Sequence, residues 1–343
     1  MFSLPILRTK RLGIDLGTSN CLVWSSSEGV VLSEPSVIAV DSQSGKVVAV
    51  GSQAREMLGR TGTNLIAQKP LRDGVVADYL VTESMLKYFM EKVLGDSGFS
   101  RFVRPEVMIC VPYGITQVER RAVLEAALSA GAKTAYLIEQ PLAAALGVKL
   151  STDAPYGSMI VDIGGGSTGA AVISVGGIVV AATAKVGGNK LDEGIITYLR
   201  RNHNLIIGER MAEEIKLNIG SAVAGGPKKV MEARGRDAIS GLPKTVTVDT
   251  FEVCEAMGSV LSAIIACIKS VLEQTPPELA SDIIERGIVM TGGTSQLRGL
   301  DRLIASQTNV AAHVAEDPMQ CVVYGCAVAL ENIEAWRRQI QVR

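Results

Sequence analysis

The stretch Met159, Ile160, Val161, Asp162, Ile163, Gly164, Gly165, Gly166, Ser167, Thr168 leads into a second apolar run from Ala170 to Ile173. Two apolar strands joined by a glycine turn predict a β-hairpin, with the Asp162 carboxylate beside the turn. Glycines lack a Cβ, can take φ > 0 and can turn successive N–H groups toward one point, which is how a loop cradles a phosphate. Mg2+ travels with nucleotide phosphates and needs only one or two carboxylates, so an Asp at this place has a matching role. The same pattern also builds tight hairpins that hold no ligand. Repetition decides between the two. Leu12, Gly13, Ile14, Asp15, Leu16, Gly17, Thr18, Ser19, Asn20, then Leu22, Val23, Trp24, follow the same grammar. A repeated half predicts two similarly folded lobes. Two such hairpins opposed across a cleft would grip one triphosphate from both sides.

At 343 residues the chain is long for one domain, which again favours two lobes. Apolar residues make up 47% and charged residues 20%, a composition that predicts a large core. Aromatics at 4% and a net charge of −1 weigh against a nucleic-acid surface. The six cysteines (Cys21, Cys110, Cys254, Cys267, Cys321, Cys326) lie mostly in apolar runs without CxxC or zinc-type spacing, and read as core residues in a reducing cytoplasm. With only His203 and His313 available, neither a histidine metal site nor a Ser-His-Asp triad is expected. No 18-residue apolar span and no cleavable leader are read, so the expectation is a soluble or peripheral protein.

The first eleven residues combine Met1, Phe2, Leu4, Ile6 and Leu7 with Arg8, Lys10 and Arg11. This suits shallow insertion beside anionic lipid, or a terminus packed on the core. Residues 35 to 69 read as a small inserted subdomain with strands at Ser36 to Val40 and Lys46 to Val50. Apolar positions 85, 86, 89, 90, 93 and 94 predict a helix from Thr82 to Leu94. The loop beyond it sets Phe99 and Phe102 among arginines, a second candidate membrane contact unless Phe102 tucks inward. A strand from Val107 to Val111 ends at Pro112, and Thr116 with Glu119 predicts a capping box opening a helix to about Ala130. Strand Ala135 to Ile138 runs through Glu139 and Gln140 to Pro141, in the first turn of an alanine-rich helix.

Further helices are predicted at Lys190 to Arg201, Glu209 to Ile219 and Glu252 to Leu272, the last stopped by Pro276 and Pro277. Residues 225 to 249 read as a surface subdomain containing the strand Thr245 to Val248. Strand Gly287 to Met290 then enters Thr291, Gly292, Gly293, Thr294, Ser295 and a helix. A nucleotide could lie there against bare backbone and a helix N-terminus, or the glycines could serve only tight strand-to-helix packing.

Two Asp-Gly hairpins and one Gly-Gly turn are the layout of the actin and heat-shock chaperone ATPase fold. Beyond them, GIDLGTSN (13 to 20), EPSVIAV (34 to 40), KPLRDGVVADY (69 to 79), VPYGITQVERRAV (111 to 123), VDIGGGST (161 to 168), RGRDAISGLPKTV (234 to 246), TPPELASDIIERGIVMTGG (275 to 293) and AEDPMQC (315 to 321) carry a closer match. Over essentially its whole length the chain resembles the MreB/Mbl family of rod-shape-determining bacterial actin homologues. The resemblance implies an α/β, actin-like ATPase fold of two ribonuclease H-like lobes with a nucleotide cleft, each lobe carrying a small inserted subdomain. The implied division is 1–34, 70–151 and 318–343 (IA), 35–69 (IB), 152–187 and 250–317 (IIA), and 188–249 (IIB).

It also implies ATP or ADP with Mg2+ as ligands, and polymerisation head to tail into membrane-associated filaments that organise cell-wall synthesis and rod shape. Paired protofilaments, with the Thr116 to Ala130 helix as a pairing face, and cell-wall elongation scaffold proteins are the implied partners; nucleic acid is not. Location would be cytoplasmic, at the inner face of the cell membrane, touched through Met1, Phe2, Leu4, Ile6, Leu7, Phe99 and Phe102. Carried over residue by residue, Gly17, Thr18, Ser19 and Asn20 form the first phosphate loop, and Gly164, Gly165, Gly166 and Ser167 the second. Asp15 and Asp162 flank Mg2+ through its waters. Glu213 and Lys216, three apart on one helix face, contact ribose and adenine with Glu214 and Ile215 between them, although by spacing alone they read as a surface ion pair. Gly292, Gly293, Thr294, Ser295 and Gln296 line the adenosine pocket.

Three departures stand out. The family usually has two glutamates before the proline equivalent to Pro141, the second positioning the attacking water, and here that residue is Gln140. A glutamine can orient water, so altered hydrolysis is implied and not its loss. Gly169 stands where an acid usually follows the second loop. Thr294 replaces a third glycine and would narrow the adenosine pocket with its Cβ. Other members of the wider fold fit less well: a chaperone is expected to carry a peptide-binding domain beyond the closing helix around Val322 to Ile333, and a sugar kinase needs an Asp base facing a sugar pocket. A nucleotide-binding filament protein with little or no hydrolysis stays open.

Overall fold

In a computed structural model of the chain, described over residues 10–60, 64–72, 74–95 and 104–342, the Asp15 hairpin becomes β1 (Arg11–Leu16) and β2 (Asn20–Ser25). Leu12, Ile14, Cys21 and Val23 are fully buried along them, the apolar alternation that commits this stretch to a sheet. β3 (Gly29–Pro35) completes an antiparallel meander. A small three-stranded sheet follows, of β4 (Ile38–Asp41), β5 (Val47–Val50) and β6 (Leu65–Gln68), with α1 (Ser52–Met57) against it. Its own core is only Val37, Ala39, Ala49 and Ala54. The hairpin of β7 (Leu71–Arg72) and β8 (Val75–Val76) leads to α2 (Tyr79–Leu94), which buries Met85, Leu86, Phe89 and Met90.

β9 (Glu106–Val111) then pairs in parallel with β1. The capping box forms as predicted: the Thr116 hydroxyl accepts from Glu119 N, Glu119 reaches back to Thr116 N at 2.7 Å, and α3 (Gln117–Ser129) follows. β10 (Thr134–Glu139) lies parallel to β9 and runs into α4 (Gln140–Gly147), where every residue from Pro141 to Leu146 is buried. These elements, with a closing C-terminal segment, make the first of two compact units: Met1–Val111, Ile115–Gly147 and Val322–Arg343.

The second unit comprises Pro112–Gly114 and Val148–Cys321. It opens on β11 (Ser158–Ile163), β12 (Thr168–Ser174) and β13 (Gly177–Ala184), again an antiparallel meander. After α5 (Gly188–His203), the strands β14 (Leu205–Ile206), β15 (Val230–Asp237) and β16 (Pro243–Asp249) form a separate sheet, with α6 (Glu209–Ile219) inserted between the first two. α7 (Thr250–Gln274) and α8 (Pro277–Arg286) precede β17 (Ile288–Thr291), and α9 (Leu300–Thr308) precedes β18 (Ala312–Val314). The closing segment of the first unit is α10 (Cys321–Glu331), α11 (Ile333–Trp336) and β19 (Gln341–Val342).

The repeat seen in the hairpins extends to both main sheets. Their orders are β19-β10-β9-β1-β2-β3 and β13-β12-β11-β17-β18. Read from β3 and from β13, each is an antiparallel meander whose first strand pairs in parallel with a later one, which pairs in parallel with the next. β19 adds only an edge.

Three expectations change. α7 does have the length and hydropathy to cross a membrane, with a mean hydropathy of 1.8 over its best window, contrary to the reading that no such span exists. Its Val253, Met257, Leu261, Ile264, Ile268 and Val271 are nevertheless buried in the second unit's core, which accounts for the apolar run. Pro277 does more than follow α7, since it occupies the first position of α8, where its missing N–H costs no hydrogen bond. Past Gly292 the chain makes a single 3-10 turn, Gly293–Gln296, and a regular helix starts only at Leu300, so no α-helix N-terminus directly backs the Gly-Gly turn. The proposed membrane contacts at Met1, Phe2, Leu4, Ile6, Leu7, Phe99 and Phe102 lie outside the described residues.

Packing in the first unit is tightest where α10 crosses α4. A Cβ on Gly325 would overlap the carbonyl of Ala143, a backbone atom that cannot swing aside. Gly325→Ala is expected to destabilise the protein by about 3 kcal/mol or more, beyond the usual cost of overpacking, read as a fall in the urea midpoint. Gly258→Ala, at a helical glycine with open space around it, serves as the control and should leave that midpoint level or higher.

Candidate functional site

Both hairpins place their aspartate alike. In the first unit Leu16 pairs with Cys21 and Asp15 with Leu22; in the second Ile163 pairs with Thr168 and Asp162 with Gly169. Each loop therefore has the same length, and each Asp sits one residue before the last pair. Both carboxylates are buried, Asp15 at 9% and Asp162 at 2% exposure. Burying an ionised carboxylate is costly unless hydrogen bonds replace its water.

The first loop is fixed from behind. Ser36 Oγ donates to Gly17 O at 2.6 Å, Ser36 N donates to Ser19 O at 3.0 Å, and Thr18 Oγ1 accepts from Gly74 N at 2.9 Å. A Cβ at Gly17 would stand 2.6 Å from Asn20 O, so the loop closes only with glycine there. The Asp15 carboxylate accepts from the Cys110 thiol on β9 at 3.1 Å. Gln140, half-buried, opens α4 directly after β10. Its neighbour Glu139 is bound to Arg120 of α3 at 2.7 Å.

The second loop is held by more partners. Gly164 N donates to Ser167 O at 2.9 Å, closing the turn. The start of α5 donates to it, Gly188 N to Gly164 O at 3.0 Å and Asn189 N to Gly165 O at 2.8 Å. Thr168 Oγ1 donates to Val186 O, and Thr291 Oγ1 to Asp162 Oδ1 at 2.7 Å. Lys216 of α6 reaches Asp192 Oδ2 and Gly188 O, both at 2.9 Å, with the Lys and Asp side chains only 13% and 11% exposed. It is a nearly buried tie between two helices and not the surface ion pair its spacing suggests. Glu213 is half-buried and Glu214 exposed on the same helix.

Several sequence expectations need correction here. Gly164, Gly165 and Gly166 are not among the described glycines with positive φ, whereas Gly292 is, at φ 83°. The tight approach falls on the facing glycines: a Cβ on Gly187 would lie 2.5 Å from Gly164 O, and one on Gly188 would lie 2.7 Å from Thr294 Oγ1, whereas one on Gly164 would meet only Ser167 O at 3.4 Å. Gly292 is needed twice over, since a Cβ there would also collide with Ile163 O. Thr294 does not simply fill space with its Cβ; its hydroxyl donates to Gly164 O at 2.8 Å, joining the Gly-Gly turn to the second hairpin. Ile215 is fully buried in the core, so its side chain faces no ligand. Ser295, 1% exposed, spends its hydroxyl on Gly292 O at 2.7 Å and shapes the turn from inside. Gly293 and Gln296 are exposed. Gly187, Gly188, Asp192, Ser36, Cys110 and Thr291 were not foreseen. The Gly187-Gly188 pair ahead of a helical pattern was the one available signal.

The described residues contain no cluster of three or more His, Cys, Asp or Glu able to hold a metal by protein ligands alone. Each of the two hairpins offers one buried carboxylate beside its loop, a hard oxygen donor. That set suits Mg2+, which keeps most of its waters and takes the rest of its shell from phosphate.

All six cysteines are free, and all but the half-buried Cys254 are buried. Burial, then the Asp15 charge, pushes the Cys21 thiol well up; a hydrogen bond with Cys326, then burial and Asp15, does so for Cys110. Cys321 is pushed up to about 12 by burial and by Asp162 and Asp317.

A family model described as MreB/Mbl protein matches residues 9–338. The chain is 47% identical over 323 residues to the cell shape-determining protein Mbl of Bacillus cereus, covering 94% of this chain and 96% of that one. It is 48% identical over 329 residues to the cell shape-determining protein MreB of Escherichia coli, covering 94% of each. Among solved structures, MreB5 of Spiroplasma citri bound to ADP superposes with a TM-score of 0.89 at 34% identity, covering 96% of this chain and 98% of that one. A MamK double helical filament gives 0.76 at 25% identity, covering 95% and 98%.

Thiols so placed should be inert. A thiol near 12 is about one part in ten thousand thiolate at pH 8. Iodoacetamide at pH 8 is expected to label the native protein slowly, and all six cysteines within minutes in denaturant, counted by mass spectrometry. Rapid native labelling of Cys321 would contradict the burial described.

Proposed function

The chain belongs to the MreB/Mbl family, and from that premise we propose that it is an actin-like cytoskeletal protein that binds ATP, polymerises and determines cell shape. One observation carries the nucleotide assignment. Two hairpins of equal loop length bear an aspartate at the same register, and in the second unit the Gly292 turn is hydrogen-bonded to the hairpin through Thr294. The related MreB5 was crystallised with ADP and with AMPPNP, which supports ATP and ADP as the ligands.

Gly17 to Asn20 and Gly164 to Ser167 are the phosphate-binding loops, and Gly292 to Gln296 the adenosine-side turn. Contributions from this turn come from its backbone and from exposed Gly293 and Gln296, with Ser295 turned inward. Asp15 and Asp162 would hold Mg2+ through water, and the ion would neutralise phosphate charge. Gln140 would orient the attacking water without taking its proton. Glu139 does not substitute for a missing acid, because Arg120 already holds it. Gly169 is the cross-strand partner of Asp162, so an acid there would extend from the same face of the sheet as that carboxylate; its absence lowers the local negative charge. Both features support tight nucleotide binding with slow turnover.

The related MamK forms a double helical filament, which supports self-association. Head-to-tail contacts between identical subunits do not close, so they make an open polymer. The proposal extends to paired protofilaments through α3, to the cytoplasmic face of the cell membrane through the apolar N-terminal residues and Phe99 and Phe102, and to cell-wall elongation scaffold proteins. The sequence pattern of apolar and basic residues supports the membrane part.

Electron microscopy with ATP, ADP and a non-hydrolysable analogue, alongside phosphate release, tests the reading. Filaments with ATP and with the analogue, together with slow release, are expected. Gln140→Glu should release phosphate roughly tenfold or more faster, as expected when a positioned acid–base group is restored. Filaments with no phosphate release in either protein would favour a purely structural nucleotide, and absence of nucleotide-dependent filaments would refute the proposal.

A further inference from the structure

The two aspartates share more than their hairpin register. Each is gripped by a side chain from the neighbouring parallel strand. β1 pairs with β9 so that Ile14 faces Ile109, and the next residue, Cys110, donates its thiol to Asp15 Oδ1 at 3.1 Å. β11 pairs with β17 so that Val161 faces Met290 and Asp162 faces Thr291, which donates its hydroxyl to Asp162 Oδ1 at 2.7 Å. Cys110 and Thr291 thus occupy the same place in the two repeated sheets. They have unrelated side chains but the same bond to the same kind of oxygen. Both donors are buried, Cys110 at 5% and Thr291 at 0% exposure.

We infer that Cys110 and Thr291 are paired positioning residues, each fixing the rotamer of one strand-end carboxylate so that it meets the hydrated Mg2+ of a bound nucleotide. The inference rests on the reading of Asp15 and Asp162 as the carboxylates that hold Mg2+. A carboxylate that bonds a metal's water with one oxygen must keep that oxygen aimed. A donor on the adjacent strand does this by occupying the other oxygen, as outer-shell partners do in metal sites generally. The grips differ in strength, since a thiol is a weak donor and a hydroxyl a good one. The grip of Thr291 on Asp162 is therefore the stronger of these two bonds.

The test is a Mg2+ titration of ATP binding, read with a fluorescent ATP analogue, on the full chain and four variants. Thr291→Val removes its donor at nearly constant volume and Cys110→Ala removes its donor together with the sulfur; Cys110→Ser and Thr291→Ser keep a donor. The first pair should raise the half-saturating Mg2+ concentration roughly 10- to 100-fold, the usual effect of losing an outer-shell partner. The serine pair should stay with the parent, and affinity in EDTA should be the same for all five proteins. Equal shifts in the Ala and Ser variants of Cys110, and in the Val and Ser variants of Thr291, tracking a loss of urea stability, would reduce both residues to packing and overturn the inference. Unchanged Mg2+ midpoints in Cys110→Ala and Thr291→Val would overturn it as well. Should Cys110→Ala fail to fold, the Thr291 pair decides alone. A parent that binds ATP equally with Mg2+ and with EDTA would overturn the metal reading itself, a result distinct from a Mg2+-dependent parent with insensitive variants.

Discussion

A strand-end carboxylate with an antiparallel hairpin on one side and a parallel strand on the other is the constraint the rest of each unit serves. Asp15 and Asp162 occupy that junction at 9% and 2% exposure. Removing a charge from water is unfavourable by several kcal/mol unless donors are supplied from within. The parallel neighbours supply them, Cys110 in one unit and Thr291 in the other. For β9 and β17 to lie beside the hairpins, the chain must cross over through helices, and those crossovers carry the cores: α2 in the first unit, and α5 and α7 in the second. The junction thus dictates both sheet order and helix placement.

How far the sequence reveals this depends on the kind of pattern involved. The hairpins were legible because strand, Asp, turn and strand are adjacent in the chain and occur twice. The Thr116 capping box and the helical spacing of α2 and α7 were legible for the same local reason. Cys110 and Thr291 were not, because nothing about a Cys or Thr in an apolar strand says which carboxylate lies on the next strand. Register 95 and 129 residues apart sets that contact. Lys216 misled for a related reason. Its spacing from Glu213 fits an exposed helical pair, while its ammonium in fact crosses to Asp192 and Gly188 of another helix.

The glycines teach a subtler point. A run of three suggests backbone of unusual φ, yet none of the three has it, and the demand for space falls on the glycines that face the loop. A Cβ on Gly187 would overlap the carbonyls of Gly164 and Gly165 and one on Gly188 the Thr294 hydroxyl, and the start of α5 donates N–H groups to those same carbonyls. Unusual φ is confined to Gly292 in this region, the turn whose glycines could equally have been read as packing. Thr294, expected to obstruct, is the residue that ties the turn to the loop. A Cβ is tolerated at that position because its hydroxyl finds an acceptor, and Gly188 leaves the room.

Binding and turnover separate along the same physical line. In the proposed reading, phosphate is held by the two loops and its Mg2+ by buried carboxylates, each fixed by hydrogen bonds within its own unit, so binding would depend mainly on the fold. Turnover would depend on one half-buried position at the start of α4, where a side chain would orient water. Gln140 can do so through its amide, and the adjacent acid is withdrawn by Arg120, an ion pair with side chains 15% and 21% exposed. Arg120 is on α3, the helix proposed to pair protofilaments. A change in the setting of α3 would therefore reach Glu139 directly and Gln140 one residue later, so that, in the proposed reading, polymer contacts would have a short covalent and ionic route to the water-orienting residue.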